Sequence, residues 1–307
     1  MKNKEIKIRI TIKSASRTLC RGLWALLILT ACHKESVPAP TPEQTFVVNG
    51  LVRELEPDGK TVVIQHEAVS NYMAAMTMPF EVRDPKELRG LKPGDAISFR
   101  LIITSKEGWI EGVTLRQKSP ETLRAPPAVQ ISRAVEPLDE GDLLPDYHFT
   151  NELGQAVSLG RYKGGALAFT FFFTSCPFPD FCPRLTGNFA EAAAQLRQMP
   201  GAPARWHLLS ISFDPKNDTP QRLLSYAKSA RYDPGHWSFL TGDPVQISEL
   251  ADQFGEIFWP ENGGISHNLR TVVVDARGRV RKIYQGNKWT SAELVREMVN
   301  AELRSKN

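Results

Sequence analysis

Cysteine is scarce in this sequence and unevenly placed: 307 residues contain Cys20 and Cys32 near the start, then none before Cys176 and Cys182. A glycine-rich phosphate-binding loop and a Gly-x-Ser-x-Gly motif are both absent, which argues against nucleotide-dependent and serine-hydrolase chemistry. A Cys-x-x-Cys motif is absent too, which argues against a general thioredoxin. With 41% apolar and 23% charged residues, the composition is typical of a globular protein, of about two domains at this length.

The first 32 residues differ from the rest. They hold seven cations and one acid and include the nine-residue apolar run Leu23–Ala31. A membrane-spanning helix needs about 20 apolar residues, so this run fits the hydrophobic part of a secretory signal. The sequence that ends at Cys32, Leu-Thr-Ala-Cys, resembles a bacterial lipobox. It implies a lipoprotein signal peptide over residues 1–32, with Cys32 acylated. An ordinary signal peptide with a chance cysteine and an uncleaved anchor are the alternatives.

Removal of this signal changes the net charge. The whole chain has 38 cations and 34 acids, but residues 33–307 have 31 and 33, a net charge of −2. No overall basic field then favours nucleic acid as a partner. Export predicts a lipid-tethered protein on the periplasmic side of a bacterial membrane, with the choice between inner and outer membrane open. The remaining cysteines would lie in an oxidising compartment.

The rest of the sequence changes pattern twice. Residues 33–45 contain three prolines and predict an extended tether. Residues 46–116 contain five short alternating strands separated by turn signals, which predicts a small all-β domain, an OB-like barrel. Residues 117–137 are proline-rich and predict a linker. Residues 138–307 alternate strands and helices, which predicts an α/β sandwich with a mixed sheet, a thioredoxin-like fold.

Two cysteines follow the most apolar strand of the predicted α/β domain. Ala166–Thr174 is nearly continuously apolar, as expected of a strand buried on both faces, and Pro183–Gln198 has a helical pattern. Cys176 and Cys182 lie between them, where open α/β sheets place their sites. A position near the start of a helix predicts a lowered pKa for Cys182. The pair alone fits a structural disulfide, a redox pair or a metal site.

Four segments of this domain carry a recognisable pattern. They are residues 147–155, 171–177, 212–220 and 266–270, with the sequences YHFTNELGQ, FFFTSCP, SFDPKNDTP and SHNLR. In this order they resemble the SCO/SenC family of copper-handling proteins, which have a thioredoxin fold. The resemblance implies that Cys176, Cys182 and His267 are copper ligands.

The chemistry of these three residue types agrees with copper. Thiolates favour Cu(I), and thiolate with imidazole also accommodates Cu(II), although zinc accepts the same set. The sequence departs from the family twice. Five residues separate the cysteines where the family has three, and Ser266 precedes His267 where the family commonly has aspartate. The first departure leaves the geometry and redox potential of the site open. The second removes a carboxylate that would tune the histidine.

A second cluster of soft ligands lies in the predicted barrel. Met73, Met76 and Met78 fall within six residues, and the last two share one face of an extended segment. With His66 on the preceding predicted strand they form a candidate site for Cu(I) or Ag(I), because thioethers and imidazole bind soft ions. Core packing explains a methionine cluster equally well.

The same region contains three short motifs: AMTMPF at residues 75–80, VIQH at residues 63–66 and LKPGD at residues 91–95. Residues 46–116 thereby resemble the CusF-like periplasmic copper-binding domain, a small β-barrel. The resemblance implies copper ligands at His66, Met76 and Met78. Met73 stands where that family has a copper-capping tryptophan, so it is a candidate fourth ligand or a softer lid.

Two sulfur-rich sites on an exported chain predict a copper metallochaperone, which binds copper and delivers it to a partner. By resemblance, the partner is the dinuclear copper centre of a cytochrome c oxidase subunit or another copper protein. One alternative is a thiol–disulfide oxidoreductase that prepares the partner's cysteines with Cys176 and Cys182; this is the one enzymatic alternative. Another is copper buffering or delivery to an efflux pump. A pure reductase needs neither His267 nor the methionine cluster.

Overall fold

The computed structural model describes residues 43–118, 135–261 and 264–303. The predicted signal peptide with Cys20 and Cys32, most of the tether and most of the linker lie outside these residues. The strands are β1 (Gln44–Leu55), β2 (Thr61–His66), β3 (Met76–Glu81), β4 (Ala96–Ile103), β5 (Gly108–Gln117), β6 (His148–Asn151), β7 (Ala156–Ser158), β8 (Ala166–Phe172), β9 (Trp206–Ser212), β10 (Trp237–Thr241), β11 (Phe258–Glu261), β12 (Gly264–His267), β13 (Arg270–Val274) and β14 (Val280–Gln285). The helices are α1 (Cys182–Gln198), α2 (Pro220–Ser229), α3 (Pro244–Gln253) and α4 (Ser291–Leu303). Among the described helices, none combines the length and apolar character needed to span a bilayer.

Strands β1 to β5 form one antiparallel sheet, called the N-terminal sheet below, in the order β3-β2-β1-β4-β5. Alternate residues of β2 and β3 are buried, which is the two-residue period of a strand with one face in a core. The outer strands β3 and β5 do not pair along their length; within the described residues a single bridge, Val82 to Ile110, joins this edge to β5. The predicted all-β region is therefore a five-stranded sheet, and closure into a barrel is not shown.

Residues 135–303, called the α/β part below, are built on a seven-stranded mixed sheet in the order β14-β13-β8-β9-β10-β6-β7. Strands β8, β9 and β10 are parallel, and the outer pairs are antiparallel. Every residue of β8 is buried, as its continuous apolar sequence predicted. Helices α1 and α4 pack together against β8, and α2 packs against β10. The prediction of an α/β arrangement with a mixed sheet is confirmed.

A separate two-stranded sheet connects α3 to β13. Strands β11 and β12 pair antiparallel, with Phe258 opposite His267 and Glu261 opposite Gly264. β12 packs against β3 of the N-terminal sheet. The short pair thus carries the predicted copper-binding histidine to the place where the N-terminal sheet meets the α/β part.

Candidate metal centres

The loop between β8 and α1 places two thiols beside a histidine from β12. Cys176 lies in the loop after β8, Cys182 is the first residue of α1, and His267 is the last residue of β12. One ligand atom from each residue lies within 4.8 Å of the other two. Both cysteines are free thiols. We call these three residues the thiol site; they are the residues that the sequence resemblance implied as copper ligands.

A backbone contact decides which nitrogen of His267 faces the thiols. Nδ1 lies 2.6 Å from the carbonyl oxygen of Asn268, so Nδ1–H donates there and Nε2 is left for the cysteines. Asn268 is held in turn, because its side chain donates to the carbonyl of Gly255 at 2.8 Å and accepts from the N–H of Ile257 at 2.8 Å. The ring is therefore oriented by protein contacts alone, as a metal ligand requires.

A buried carboxylate stands behind His267, and sequence reasoning missed it. Glu256 is 1% exposed, and its Oε1 lies 3.6 Å from Nδ1 of His267. Burial raises the pKa of Glu256, although its contact with the histidine opposes the shift. Ser266, where the family commonly has aspartate, donates its hydroxyl to Glu261 at 2.6 Å instead. A carboxylate beside the histidine is thus present, but it comes from the segment after α3 rather than from the preceding residue.

The negative charge of the thiol site lies on Cys176. Burial opposes its ionisation, but hydrogen bonds from Cys182 and His267 outweigh burial and lower the pKa of Cys176. Burial and the adjacent Cys176 thiolate raise the pKa of Cys182. The prediction of a lowered pKa for Cys182 is therefore wrong, because burial and a neighbouring anion outweigh the helix N-terminus.

The histidine carries the matching positive charge. Burial opposes protonation of His267, but its hydrogen bond with Cys176 and the adjacent carboxylate of Glu256 outweigh burial and raise its pKa. The two opposite shifts favour an imidazolium–thiolate pair in the metal-free site. A metal ligand must be deprotonated, so a metal that binds here displaces the proton of His267.

A buried aspartate fixes the approach to Cys176. Asp218 is fully buried; it accepts hydrogen bonds from the N–H of Thr174 at 3.0 Å, from the Thr174 hydroxyl and from the hydroxyl of Ser212 at 2.6 Å. Arg222 lies 3.6 Å from the same carboxylate and donates to the Thr174 hydroxyl at 2.7 Å. The residues just before Cys176 are thereby tied to β9 and α2, so the loop holds its shape.

Two methionines of the cluster, Met76 and Met78, lie on β3, opposite a histidine of β2. In the register of these strands His66 pairs with Met76, and Ile64 pairs with Met78. Paired residues project from the same face of a sheet, so His66, Met76 and Met78, which are all buried, share one side. We call these three residues the methionine site.

His66 has a ring nitrogen available on this side. Its Nδ1 lies 2.7 Å from the carbonyl oxygen of Glu67, while its buried Nε2 has no hydrogen-bond partner among the described residues. Burial also lowers the pKa of His66, which favours the neutral ring that binds metals. An unpartnered imidazole nitrogen beside two thioethers is a donor set that suits Cu(I), and plain core packing does not explain the unpartnered nitrogen.

Met73, the predicted fourth ligand or lid, lies at the same place. It is buried before β3 and lines one cavity together with Met76 and Met78. The aromatic rings nearby include Phe80, 5.5 Å from the His66 ring, and Phe178 of the α/β part, 5.8 Å from Phe80. The position of Met73 fits either role.

Comparisons with known proteins divide the chain in the same way. A family model for SCO1/SenC matches residues 135–302. The chain belongs to the SCO1/SenC family. A model for the copper binding periplasmic protein CusF matches residues 45–115, so this SCO1/SenC chain has a CusF-like N-terminal part.

The SCO1/SenC chain has relatives in several bacteria. An SCO1 protein homolog of Bacillus subtilis is 30% identical over 144 residues, which cover 46% of this chain and 72% of that protein. An SCO2-like protein of Rickettsia conorii is 28% identical over 150 residues, which cover 45% of this chain and 66% of that protein.

Solved structures resemble the same part of the chain. A SCO1/SenC family lipoprotein from Bacillus anthracis is 27% identical, with a TM-score of 0.48, over 53% of this chain and 95% of that one. ScoI of Bradyrhizobium japonicum, solved with copper bound, is 25% identical, with a TM-score of 0.44, over 53% of this chain and 100% of that one.

Proposed function

We propose that this chain is a copper metallochaperone that works on the periplasmic side of a bacterial membrane. The observation that carries the proposal is the convergence of Cys176, Cys182 and His267, with ligand atoms within 4.8 Å of one another. Two thiolates and one imidazole bind Cu(I) and also accommodate Cu(II). The half-buried Cys176 leaves a route for copper exchange with a partner.

The methionine site is proposed as a second site, for Cu(I). Thioethers are neutral and do not form disulfides, so His66, Met76 and Met78 keep their affinity in an oxidising compartment. Met73 is either a fourth ligand or the cover of this site. On this proposal residues 46–116 are a CusF-like copper-binding domain with an OB-like barrel, residues 117–137 are a linker, and residues 138–307 are the SCO/SenC domain.

The remaining steps rest on family membership and on the sequence of the N-terminus. We infer a lipid anchor at Cys32, followed by the tether over residues 33–45. The recipient is proposed to be the dinuclear copper centre of a cytochrome c oxidase subunit or another copper protein. Mass spectrometry of the mature N-terminus tests the anchor. A deletion strain that loses copper tolerance but keeps oxidase assembly would support delivery to an efflux pump instead of delivery to oxidase.

The test of copper binding is a Cu(I) titration of the reduced chain against a coloured chelator. We expect two equivalents in the wild type and one in each of two variants, Cys176→Ser/Cys182→Ser and Met76→Leu/Met78→Leu. Met298→Leu is the matched control, because Met298 is fully buried in α4 of the α/β part. Met73→Leu separates the roles of Met73: weaker binding indicates a ligand, and unchanged binding indicates a cover. A wild type that binds no Cu(I) overturns the proposal.

One observation favours thiol–disulfide exchange as a second candidate function. Hydrogen bonds from Cys182 and His267 outweigh burial and lower the pKa of Cys176, and the thiolate is the attacking form in such exchange. Copper-free protein that reduces a disulfide at a useful rate, together with a Cu(I) titration that gives zero equivalents, would favour this function over copper transfer.

A further inference from the structure

The methionine site and the thiol site face a common cavity. Met73, Met76 and Met78 line it from the N-terminal sheet, and Cys176 and His267 line it from the α/β part. Its volume is about 10 Å³, close to the smallest space that holds one water-sized occupant. Ligands of both sites therefore meet one small space, with no layer of protein between them.

The remaining ligand of each site lies away from the cavity. His66 does not line it and pairs with Met76 across β2 and β3. Cys182 does not line it either, and is fully buried beside Cys176. Each site thus extends from the cavity into its own part of the protein, so an ion bound in one site faces the other site across the cavity.

An edge strand fixes this arrangement on one side. β3 is an outer strand, and the outward N–H groups of such a strand need partners. The N–H of Thr77, between Met76 and Met78, donates to Glu261 at 2.7 Å and to Ser266 at 2.8 Å. The Thr77 hydroxyl donates to Glu261 as well, at 3.0 Å. The residue between the two methionines is thereby tied to the strands that carry His267.

Gly264 lets Met76 cross to β12. A Cβ atom at Gly264 would lie 2.5 Å from the terminal methyl carbon of Met76, a separation that real Cβ atoms do not show. Any other residue at this position would displace the methionine. The absence of a side chain at Gly264 therefore brings the Met76 thioether close to the α/β part.

The loop between the cysteines fixes the other side. The carbonyl of Pro177 accepts from the Tyr72 hydroxyl at 2.9 Å, and the carboxylate of Asp180 accepts from the N–H of Gly108 at 2.7 Å. Between them, the ring of Phe178 packs where a Cβ at Gly108 would lie 2.6 Å away. Three of the five residues between the cysteines thus contact the N-terminal sheet, so the lengthened loop forms part of the interface between the two parts.

We infer that Cu(I) passes from the methionine site to the thiol site through the shared cavity, without release to solvent. This inference rests on the proposed function and specifies its internal route. The step is ligand exchange: bonds from copper to thioether sulfur break as bonds to thiolate sulfur and His267 form. Copper stays Cu(I), and the protons displaced from Cys182 and His267 pass to solvent, so no oxidant or reductant is consumed. The anionic thiolates set the direction, because they bind Cu(I) more strongly than neutral thioethers.

The test uses the reduced full chain mixed rapidly with Cu(I) bicinchoninate in the presence of free bicinchoninate. Loss of the chelator colour reports uptake of copper, and the near-ultraviolet band of Cu(I)–thiolate reports its arrival at the thiol site. We expect the thiolate band to follow uptake in a first-order phase whose rate does not change with a tenfold increase in free chelator. Direct transfer gives this result, since copper in the cavity never meets the chelator.

The variant that separates the two parts is Glu261→Ala/Tyr72→Phe, which removes hydrogen bonds across the interface and alters no ligand. Its matched control is Glu293→Ala/Tyr147→Phe. Like Glu261, Glu293 accepts hydrogen bonds from the N–H and the hydroxyl of one threonine, and like Tyr72, Tyr147 donates one hydrogen bond from its hydroxyl. Unlike those of Glu261 and Tyr72, these contacts all lie inside the α/β part. We expect free chelator to slow the thiolate phase at least tenfold in the first variant and to leave the control like wild type.

The possible outcomes separate this inference from the proposed function. A wild type that never develops the thiolate band overturns both. A wild type that binds two equivalents at equilibrium, but whose thiolate phase is slowed by free chelator, overturns direct transfer and leaves the copper sites in place. If the interface variant does not fold, as circular dichroism would show, the chelator dependence of the wild type alone decides.

Discussion

Replacement of Phe178 by alanine tests whether the N-terminal sheet and the α/β part are held together by the loop between the cysteines. The side chain is 3% exposed, and its ring lies 5.8 Å from Phe80 across the interface and 5.2 Å from Phe181 on its own loop. Truncation of a buried phenylalanine costs about 3–5 kcal/mol. Part of this cost is lost contact with Phe181, which lies on the same side of the interface as Phe178. We therefore assign only the lower end of the range, about 3 kcal/mol, to the contact between the two parts. At 1.4 kcal/mol per factor of ten, docking weakens roughly 100-fold.

The assay is equilibrium unfolding in urea, followed by two probes. Of the tryptophans in the described residues, Trp109 lies in the N-terminal sheet and the other four lie in the α/β part. Fluorescence therefore reports mainly the α/β part, whereas far-ultraviolet circular dichroism reports both. We expect the two curves to coincide for the wild type, since docked parts unfold together. In Phe178→Ala they separate into two transitions.

Phe189→Ala is the matched control, because Phe189 is fully buried in α1 and packs against two tryptophans of the α/β part. It removes the same ring from an internal position, so the α/β part loses stability without loss of the contact across the interface. Coincident curves for Phe178→Ala, with a loss of stability below about 1 kcal/mol, would refute the reasoning, since a buried ring at a true interface costs more than this.

Two further predictions concern carboxylates that sequence reasoning missed. Glu256→Gln removes one of the two partners, Cys176 and Glu256, that hold the pKa of His267 above its ordinary value. Copper must displace that proton, so the rise of Cu(I) affinity with pH should reach its plateau at lower pH than in the wild type. Competition titrations over a pH series would show this, and an unchanged profile would contradict the role of Glu256. Burial opposes ionisation of Glu261, but hydrogen bonds led by that of Ser266 lower its pKa below 4.5. A carboxyl group with a lowered pKa stabilises the fold above its unfolded pKa, and this stabilisation is lost as pH falls through the folded pKa. Urea unfolding at pH 7 and below pH 4.5 should therefore show that acid removes about 1–2 kcal/mol more stability from the wild type than from Glu261→Gln. Equal losses in the two proteins would contradict this role of Glu261.

The sequence predicts the long elements of this fold well and the short ones poorly. β8 and α1 are found within two residues of their predicted bounds, because a long apolar run or helical period is visible in the sequence alone. The five-residue β10 and the four-residue β11 and β12 were not predicted. Strands of this length hold too few alternations to be recognised, and β11 and β12 are stabilised by each other and by β3.

The same distinction applies to the candidate sites. Their ligands were predicted because cysteine, histidine and methionine stand in short motifs that resemble those of the SCO/SenC and CusF-like families. Glu256 was missed, although it lies eleven residues before His267, because nothing in that spacing shows that the chain turns back through β11 and β12. The lowered pKa was assigned to the wrong cysteine for a related reason: the helix terminus is visible in the sequence, but the contacts that outweigh it are tertiary.

On the proposed route, the redox state of the two cysteines decides when copper moves. The thioethers of the methionine site bind Cu(I) whether or not Cys176 and Cys182 are oxidised, because neither sulfur of the pair belongs to that site. A disulfide between the cysteines would remove both thiolates at once and leave His267 as the only ligand of the thiol site. One imidazole is too weak to draw copper from two thioethers and an imidazole. Reduction of the disulfide would restore the thiol site, the stronger of the two, across the shared cavity from the methionine site. The chain would then hold copper while its thiols are oxidised and release it towards a partner only after they are reduced, so oxidised protein should bind one equivalent of Cu(I) and reduced protein two.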